Sequence, residues 1–191
     1  MKIAVIGGTG LIGSRVVEIL NARGHEAVPH STSTGVDLLS GRGLPEALAG
    51  ADVVVNLTKP RTFDDASPAF FRKTRSTQFF EFIGTVLSWT SDEHTVRLPA
   101  TLMQPIAADE VARAVADVSG GAPLRGTLDI AGPEVLALDE LGRITLAARG
   151  DHRTVVTDDS AGMYAAASGR ALVAKDGAVI AGTTYREWLA R

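Results

Sequence analysis

The sequence predicts an α/β protein built as a Rossmann-like doubly wound parallel sheet, and three observations predict it. A glycine-spaced turn joins an apolar strand to an amphipathic helix within the first twenty residues. Strands and helices then alternate over the first sixty residues, which is the pattern of βαβ units. The run Ala51-Asp-Val-Val-Val-Asn-Leu57 is nearly continuous in apolar residues, as expected of a strand buried on both faces of a parallel sheet.

The N-terminal unit carries the chemistry. After the strand at 1–6 comes Gly7-Gly8-Thr9-Gly10-Leu11-Ile12-Gly13, and a helical pattern begins at Ser14 with Val16, Val17, Ile19 and Leu20 on its apolar face. Glycine at 7 allows a tight turn, glycine at 10 leaves room for a pyrophosphate, and glycine at 13 lets helix and strand approach closely. The helix N-terminus then offers unpaired N–H groups and a partial positive charge to phosphates. These residues are expected to bind a dinucleotide.

Downstream, Gly24 closes the first helix and residues 25–28 form a second strand before Pro29. Residues 30–41 are a loop rich in Ser, Thr and Gly, 43–49 a short helix and 51–57 the third strand. Pro68 sits just inside a possible helix start, and that helix is expected to run on through 69–73. A helix at 77–89, short strands at 95–98 and 103–106, a helix at 108–118 and a strand at 127–131 follow. Leu138 to Arg149 reads as a helix capped by Asp139 and closed by Gly150. A strand at 153–157 and a terminal helix at 185–189 complete the order.

Composition narrows the function. The 191 residues are 45% hydrophobic and 21% charged, with a net charge of −3, which gives one domain's worth of ordinary globular chain. The slight acidity and the lack of any Lys/Arg cluster predict no nucleic-acid partner. No cysteine is present, which excludes disulfides and thiolate chemistry and fits a reducing, cytoplasmic location. The N-terminal apolar run is too short and glycine-broken for a signal peptide, and no stretch approaches the roughly 20 residues that span a bilayer. His25, His30, His94 and His152 lack metal-ligand spacing, so no metal is expected. Neither a Gly-x-Ser-x-Gly elbow nor a Gly-Lys-Ser/Thr phosphate loop occurs. Asp64-Asp65 and Asp158-Asp159 read as solvated loop or cap residues, and Phe79, Phe80 and Phe82 as core or pocket wall.

The wording of these segments resembles the atypical short-chain dehydrogenase/reductases, specifically the NmrA-like NAD(P)-binding group, over nearly the whole chain. Gly7, Gly10 and Gly13 match the glycine signature. Asp37-Leu38 resembles the pair that contacts adenine, and Asn56-Leu57-Thr58 the segment that lines the ribose. Arg75-Ser-Thr-Gln78-Phe79 resembles the family's Arg-Pro-Thr-Gln-Phe run beside the nicotinamide, with Ser76 in place of proline. Residues 105–112 and Ala131-Gly-Pro-Glu134 resemble two later family segments. The resemblance implies one NAD(P)-binding domain over 1–191, with a dinucleotide-binding half at 1–73 and a substrate-side half at 74–191.

The resemblance also implies a gap. Family members place a fourth strand, a helix and a fifth strand before the run at Arg75, whereas here Lys73 and Thr74 join directly. The absent piece carries the Tyr-x-x-x-Lys pair that family members use as proton donor. Tyr164 is followed four residues later by Ser168 and Tyr185 by Leu189, so neither replaces it. No catalytic residue is assigned, and the expectation is an NAD(P)-binding protein impaired in turnover or, alternatively, a non-catalytic dinucleotide sensor. In the order 3-2-1-4-5 the first strand would keep an open edge, inviting self-association unless the strand at 127–131 fills it.

Cofactor choice rests on the end of the second strand. An NAD site would carry Asp or Glu there for the ribose hydroxyls, but the chain has Pro29, His30, Ser31 and Thr32. Nothing repels a 2′-phosphate, so NADP is expected, with NAD possible and His30 and Ser31 as contacts. The small-molecule substrate is not specified by the sequence.

Overall fold

The computed structural model describes residues 1–58, 73–121, 127–167 and 169–191. The chain condenses into two compact units, one of residues 1–73 with 109–126, the other of 74–108 with 127–191.

The first unit is built on a parallel sheet of β1 (Lys2–Ile6), β2 (Glu26–His30) and β3 (Val53–Asn56), in the order β2-β1-β3. Helix α1 (Leu11–Ala22) connects β1 to β2, and α2 (Leu44–Leu48) precedes β3. Ile3, Val5, Val16 and Leu20 are fully buried, so the apolar face of α1 lies on the central strand as its spacing requires. Helix α4 (Ala108–Gly120) belongs to this unit from Asp109 onward. Arg15 pairs with Asp109, and Arg23 with Asp117 at 2.7 Å. Both steps are eight residues, so α1 and α4 run side by side in the same direction. These exposed pairs set register more than stability; burial of Val111, Ala112, Val115 and Ala116 holds the helix down.

The strand order overturns the expected open edge on β1. Ile6 pairs with His30 on one side and with Asn56 on the other, so the segment expected beyond β2 lies instead beside β1. Hydrophobic pattern marks a segment as strand but does not choose its neighbour. Here the choice is fixed by local bonds at the entry to β3. The Lys2 N–H donates to Asp52 Oδ2 at 2.8 Å, the Asp52 N–H donates to Lys2 O at 2.8 Å, and Lys2 Nζ donates to Ala49 O at 2.8 Å. Among the described residues β3 is an outer strand of this sheet, with Val55 buried but Val54 39% exposed, rather than a strand covered on both faces. The strand at Thr127–Ala131 does not fill a gap beside β1; it pairs elsewhere, as described below.

The second unit contains β4 (Lys73–Ser76) from Thr74 onward, α3 (Phe80–Trp89), β5 (Thr95–Leu98), β6 (Leu102–Met103), β7 (Thr127–Ala131), β8 (Leu136–Ala137), α5 (Leu138–Arg149), β9 (Thr154–Thr157), β10 (Val179–Ile180) and α6 (Tyr185–Leu189). One sheet has the order β10-β7-β4, and two ladders pair β5 with β9 and β6 with β8. The core gathers Phe80, Ile83, Leu87, Leu98, Met103, Leu138, Leu141 and Tyr185. Phe80 lies 5.0 Å from Tyr185 and 5.7 Å from Trp188 between ring centroids, which ties α6 to α3.

Three local expectations change. β2 continues through Pro29 to His30, which an outer strand tolerates because its outward positions need no ladder donor. Lys73 opens β4 instead of ending a helix; the remainder of that expected helix, and Asp64-Asp65, lie outside the described residues. Asp139 does not cap α5. The N-cap is Ala137 without a side-chain bond, and Asp139 instead binds Thr157 and Arg143, at 2.6 and 2.9 Å.

Candidate functional site

At the carboxyl end of β1 the chain reverses through Gly7, whose φ of +81° is open to glycine at little cost. Its N–H donates to His30 O at 2.7 Å, so the turn is fastened to the end of β2. Gly8 touches that strand directly: a Cβ there would stand 2.6 Å from Pro29 Cα. A Cβ on Gly13 would stand 2.1 Å from Gly7 O and 2.7 Å from Gly8 Cα. Only hydrogen fits at 8 and 13. Gly8 was not among the expected site residues, since its role is packing against a strand that the sequence does not place.

Gly10 differs. A Cβ on it would meet only Gly7 O, at 3.3 Å, a tight contact that needs a shift of a few tenths of an ångström rather than an outright clash, so packing forbids a side chain here far less than at 13. Gly10 is also the N-cap of α1, with no side-chain cap bond and no acidic residue in the first turn. The N–H groups of Leu11, Ile12 and Gly13 therefore have no intrahelical acceptor, and the helix dipole at this end is not offset by a local carboxylate. Thr9 and Gly10 are exposed. This is a cradle suited to a phosphate.

Two further segments of the same unit flank the turn. After β2, Ser31 and Thr34 clasp a short 3₁₀ turn, with the Ser31 N–H donating to Thr34 Oγ1 at 2.7 Å and the Ser31 and Ser33 hydroxyls 2.8 Å apart. No acidic side chain stands at 29–34. After β3, Asn56 Oδ1 accepts both the N–H and the hydroxyl of Thr58, at 3.0 and 2.7 Å, while the Leu57 N–H donates to Ile6 O at 2.9 Å. The ends of β1, β2 and β3 thus bring Gly7, His30 and Asn56 together. A Cβ on Gly7 would lie 3.2 Å from the Leu57 carbonyl carbon, which shows how closely the two segments approach.

Asp37 and Leu38 lie on the loop before α2. The Asp37 carboxylate accepts the Leu39 N–H at 3.0 Å and the Ser40 hydroxyl at 2.8 Å; these bonds hold its pKa below the usual carboxylate range. Leu38 is exposed.

The expected substrate-side residues belong to the second unit. Arg75 is on β4. Gln78 and Phe79 form the link from β4 to α3, where Gln78 O accepts the Ile106 N–H at 2.8 Å and Phe79 bridges to Ile106. Gln78 Oε1 is buried without a hydrogen-bond partner, as is Thr77 Oγ1 beside it in the same run. A cleft of about 600 Å³ in this unit lies beside His94, His152 and Arg153, where Arg153 is bound to Asp151 at 2.6 Å. Among the described residues no group of three or more His, Cys, Asp or Glu is placed to hold a metal, and no helix is long and apolar enough to cross a membrane.

A parallel strand, a glycine turn and a helix whose bare N-terminus stands at the carboxyl end of the sheet define a Rossmann-like nucleotide-binding architecture. More narrowly, the fold is shared with solved epimerases and reductases. Bacillus cereus UDP-N-acetylglucosamine 4-epimerase is similar at a TM-score of 0.66 and 15% identity, covering 99% of this chain and 98% of that one. The Escherichia coli NADPH-dependent quinone oxidoreductase in complex with NADPH gives a TM-score of 0.62 at 15% identity, covering 98% of each chain. A dTDP-4-dehydrorhamnose reductase from Clostridium acetobutylicum gives 0.62 at 12% identity, over 83% of this chain and 84% of that one. No protein-family model and no curated protein sequence matches.

Proposed function

We propose that the chain binds NADP(H) at the glycine turn of its first unit and is an NmrA-like dinucleotide-binding protein whose reductase turnover is impaired. The observation that carries the reading is the contrast between Gly13, where the fold itself forbids a Cβ, and Gly10, where it does not. Gly10, Leu11, Ile12 and Gly13 would hold the pyrophosphate on backbone N–H groups. Asn56, Leu57 and Thr58 would line the nicotinamide ribose, and His30 and Ser31 would face the adenosine ribose. The bare α1 N-terminus suits the pyrophosphate that both nucleotides carry, and the lack of an acid at 29–34 supports NADP over NAD. So does the NADPH bound in the E. coli oxidoreductase of the same fold. When bound, the nucleotide supplies a hydride acceptor or donor.

Impaired turnover follows from the tyrosines. Tyr185 is 1% exposed, and its hydroxyl lies 2.7 Å from Thr145 Oγ1 in the core, so it is not available to a substrate. Calorimetric titration with NADPH tests the binding. Gly10→Val should fold normally and lose affinity at least tenfold, because its side chain projects where the pyrophosphate must approach; equal affinity in the variant overturns the assignment.

A further inference from the structure

Helix α3 is apolar on two sides. Phe80, Ile83, Val86 and Leu87 belong to the core of the second unit, yet Phe82 and Trp89 on the other side of the helix are 39% and 50% exposed. Phe82, expected in the core or a pocket wall, thus lies outside it. The two rings meet edge to face with centroids 5.3 Å apart, which makes one aromatic knob rather than two scattered side chains. No charged residue occurs from Phe82 to Ser91, and Thr85 and Ser88 are the other exposed residues of this stripe. A helix face turned to water carries charge, whereas a helix apolar on both faces has a second surface to pack against. The rim agrees. A Cβ on Gly162 would stand 3.1 Å from the Thr90 methyl, so Met163, 65% exposed, sits near the carboxyl end of the helix. Arg149 lays its guanidinium over Gly84, where Nη2 would stand 2.9 Å from a Cβ. Aromatic, Met and Arg side chains without Lys, Glu or Asp between them are the composition of interface centres.

We propose that this face of α3 packs against the same face of a second copy of this chain, antiparallel about a two-fold axis at Thr85. The stripe is self-complementary, as an isologous interface requires. Phe82 and Trp89 lie two turns apart with Thr85 between them, so turning a second copy end for end sets each Phe82 level with the second copy's Trp89 and gathers four rings around the axis. Thr85 and Ser88 are small enough to let the helices approach. Charge selects the same arrangement. Arg149, at the level of Gly84, then faces the last turn of the second copy's α3, whose carbonyls carry the negative end of the helix dipole; a parallel pair would set the two Arg149 guanidinium groups at one level. Area sets the strength. Rings of this size, exposed to these fractions, supply about 200 Å² per copy, and even with Met163 and the Arg149 stem this falls well short of the roughly 800 Å² per partner of a stable interface. The dimer is therefore of the weak, transient class, half formed on the order of 0.1–1 mM. The inference does not depend on cofactor binding, because the helix and its rim lie wholly within the second unit.

Sedimentation velocity of the full chain without nucleotide, from about 10 µM to about 2 mM, tests the pairing. Monomer at the low end and a rising dimer fraction at the high end are expected. Trp89→Glu should keep the chain monomeric throughout. So should Thr85→Arg, which opposes two cations at the axis and leaves both rings in place, and which carries the test if the first variant fails to fold. Because the chain has no cysteine, Thr85→Cys reads the geometry as well: mild oxidation at high concentration should link two copies, whereas Ala22→Cys, exposed on α1, should not be linked. A chain that stays monomeric at the highest concentration, a dimer that survives Thr85→Arg, or equal linking of the two cysteine variants overturns the proposal. NADPH titration is scored separately, so a dimer formed by a chain that binds no NADPH would overturn only the preceding functional reading.

Discussion

His30 and Asn56 stand at the same level on opposite sides of Ile6, each paired with it in a parallel ladder. Ile6 is followed at once by Gly7, so the glycine turn leaves from a strand held on both edges. Fixing the base of the turn in this way limits the ordering cost that a bound ligand must meet.

Because β1 is doubly paired, the amides of Ala4 and Val5 should be among the slowest to exchange in the first unit. Native-state hydrogen exchange checks this. The expected pattern is strong protection across residues 3–6 and weak protection on the outer positions of β3. Rapid exchange along one edge of β1 would restore the open-edge arrangement and the self-association that it invites.

Gly13→Ala should damage the fold itself. Its Cβ would lie 2.1 Å from Gly7 O, a clash with backbone that no rotamer change relieves, and overpacking of this kind costs about 1–3 kcal/mol or more. Gly10→Ala, which meets only Gly7 O at 3.3 Å, should stay within about 0.5 kcal/mol of wild type, as exposed substitutions usually do. Urea denaturation of the two variants separates them; equal destabilisation would remove the distinction between a packing glycine and a ligand glycine.

Much of this was legible in the sequence because it is local. The strand, turn and first helix follow from spacing at Ile3 to Leu20, and Gly24 and Gly150 end their helices with positive φ of 82° and 63° as glycine stops do. What was not legible depends on partners distant in the chain. The side of β1 taken by β3 is fixed by bonds between Lys2 and the Ala49–Asp52 stretch, and Asp139 exchanges a capping role for Thr157, eighteen residues away. Asp37 was read by resemblance as a ligand contact, and its carboxylate also accepts from Leu39 and Ser40. Spacing identifies residues able to form an Asx turn but not whether a ligand displaces it.

Acid should loosen the β5–β9 ladder. The Asp92 carboxylate accepts the Thr95 hydroxyl and the N–H groups of His94 and Thr95, which lower its pKa from 3.8 to about 2. Asp151, bound by Arg153, is likewise lowered from 3.8 to about 2. Thr95 and Thr154 are the paired first residues of the two strands, so both turns hold the start of one ladder. A carboxylate depressed in the folded state stabilises it above the unfolded pKa, and that contribution is lost as pH falls through the folded value. Melting temperature should therefore decline between about pH 4 and pH 2, and Asp92→Asn with Asp151→Asn should flatten the decline. An unchanged slope in the double variant would show that other carboxylates govern acid unfolding.

Turnover should be absent or very slow. A proton donor works best with a pKa near the working pH, and its loss costs about 10²- to 10⁴-fold. Both tyrosines move the wrong way: burial raises the phenol of Tyr164, and burial raises that of Tyr185 despite its bond to Thr145. Neither carries a lysine four residues later to draw the value down, since position 168 is Ser and 189 is Leu. NADPH oxidation across a panel of aldehydes, ketones and quinones should stay at the rate without protein, and Tyr164→Phe should change nothing. Robust oxidation that survives Tyr164→Phe would place the donor on another group of the second unit. Oxidation lost in that variant would make Tyr164 the donor and return the chain to the ranks of working reductases.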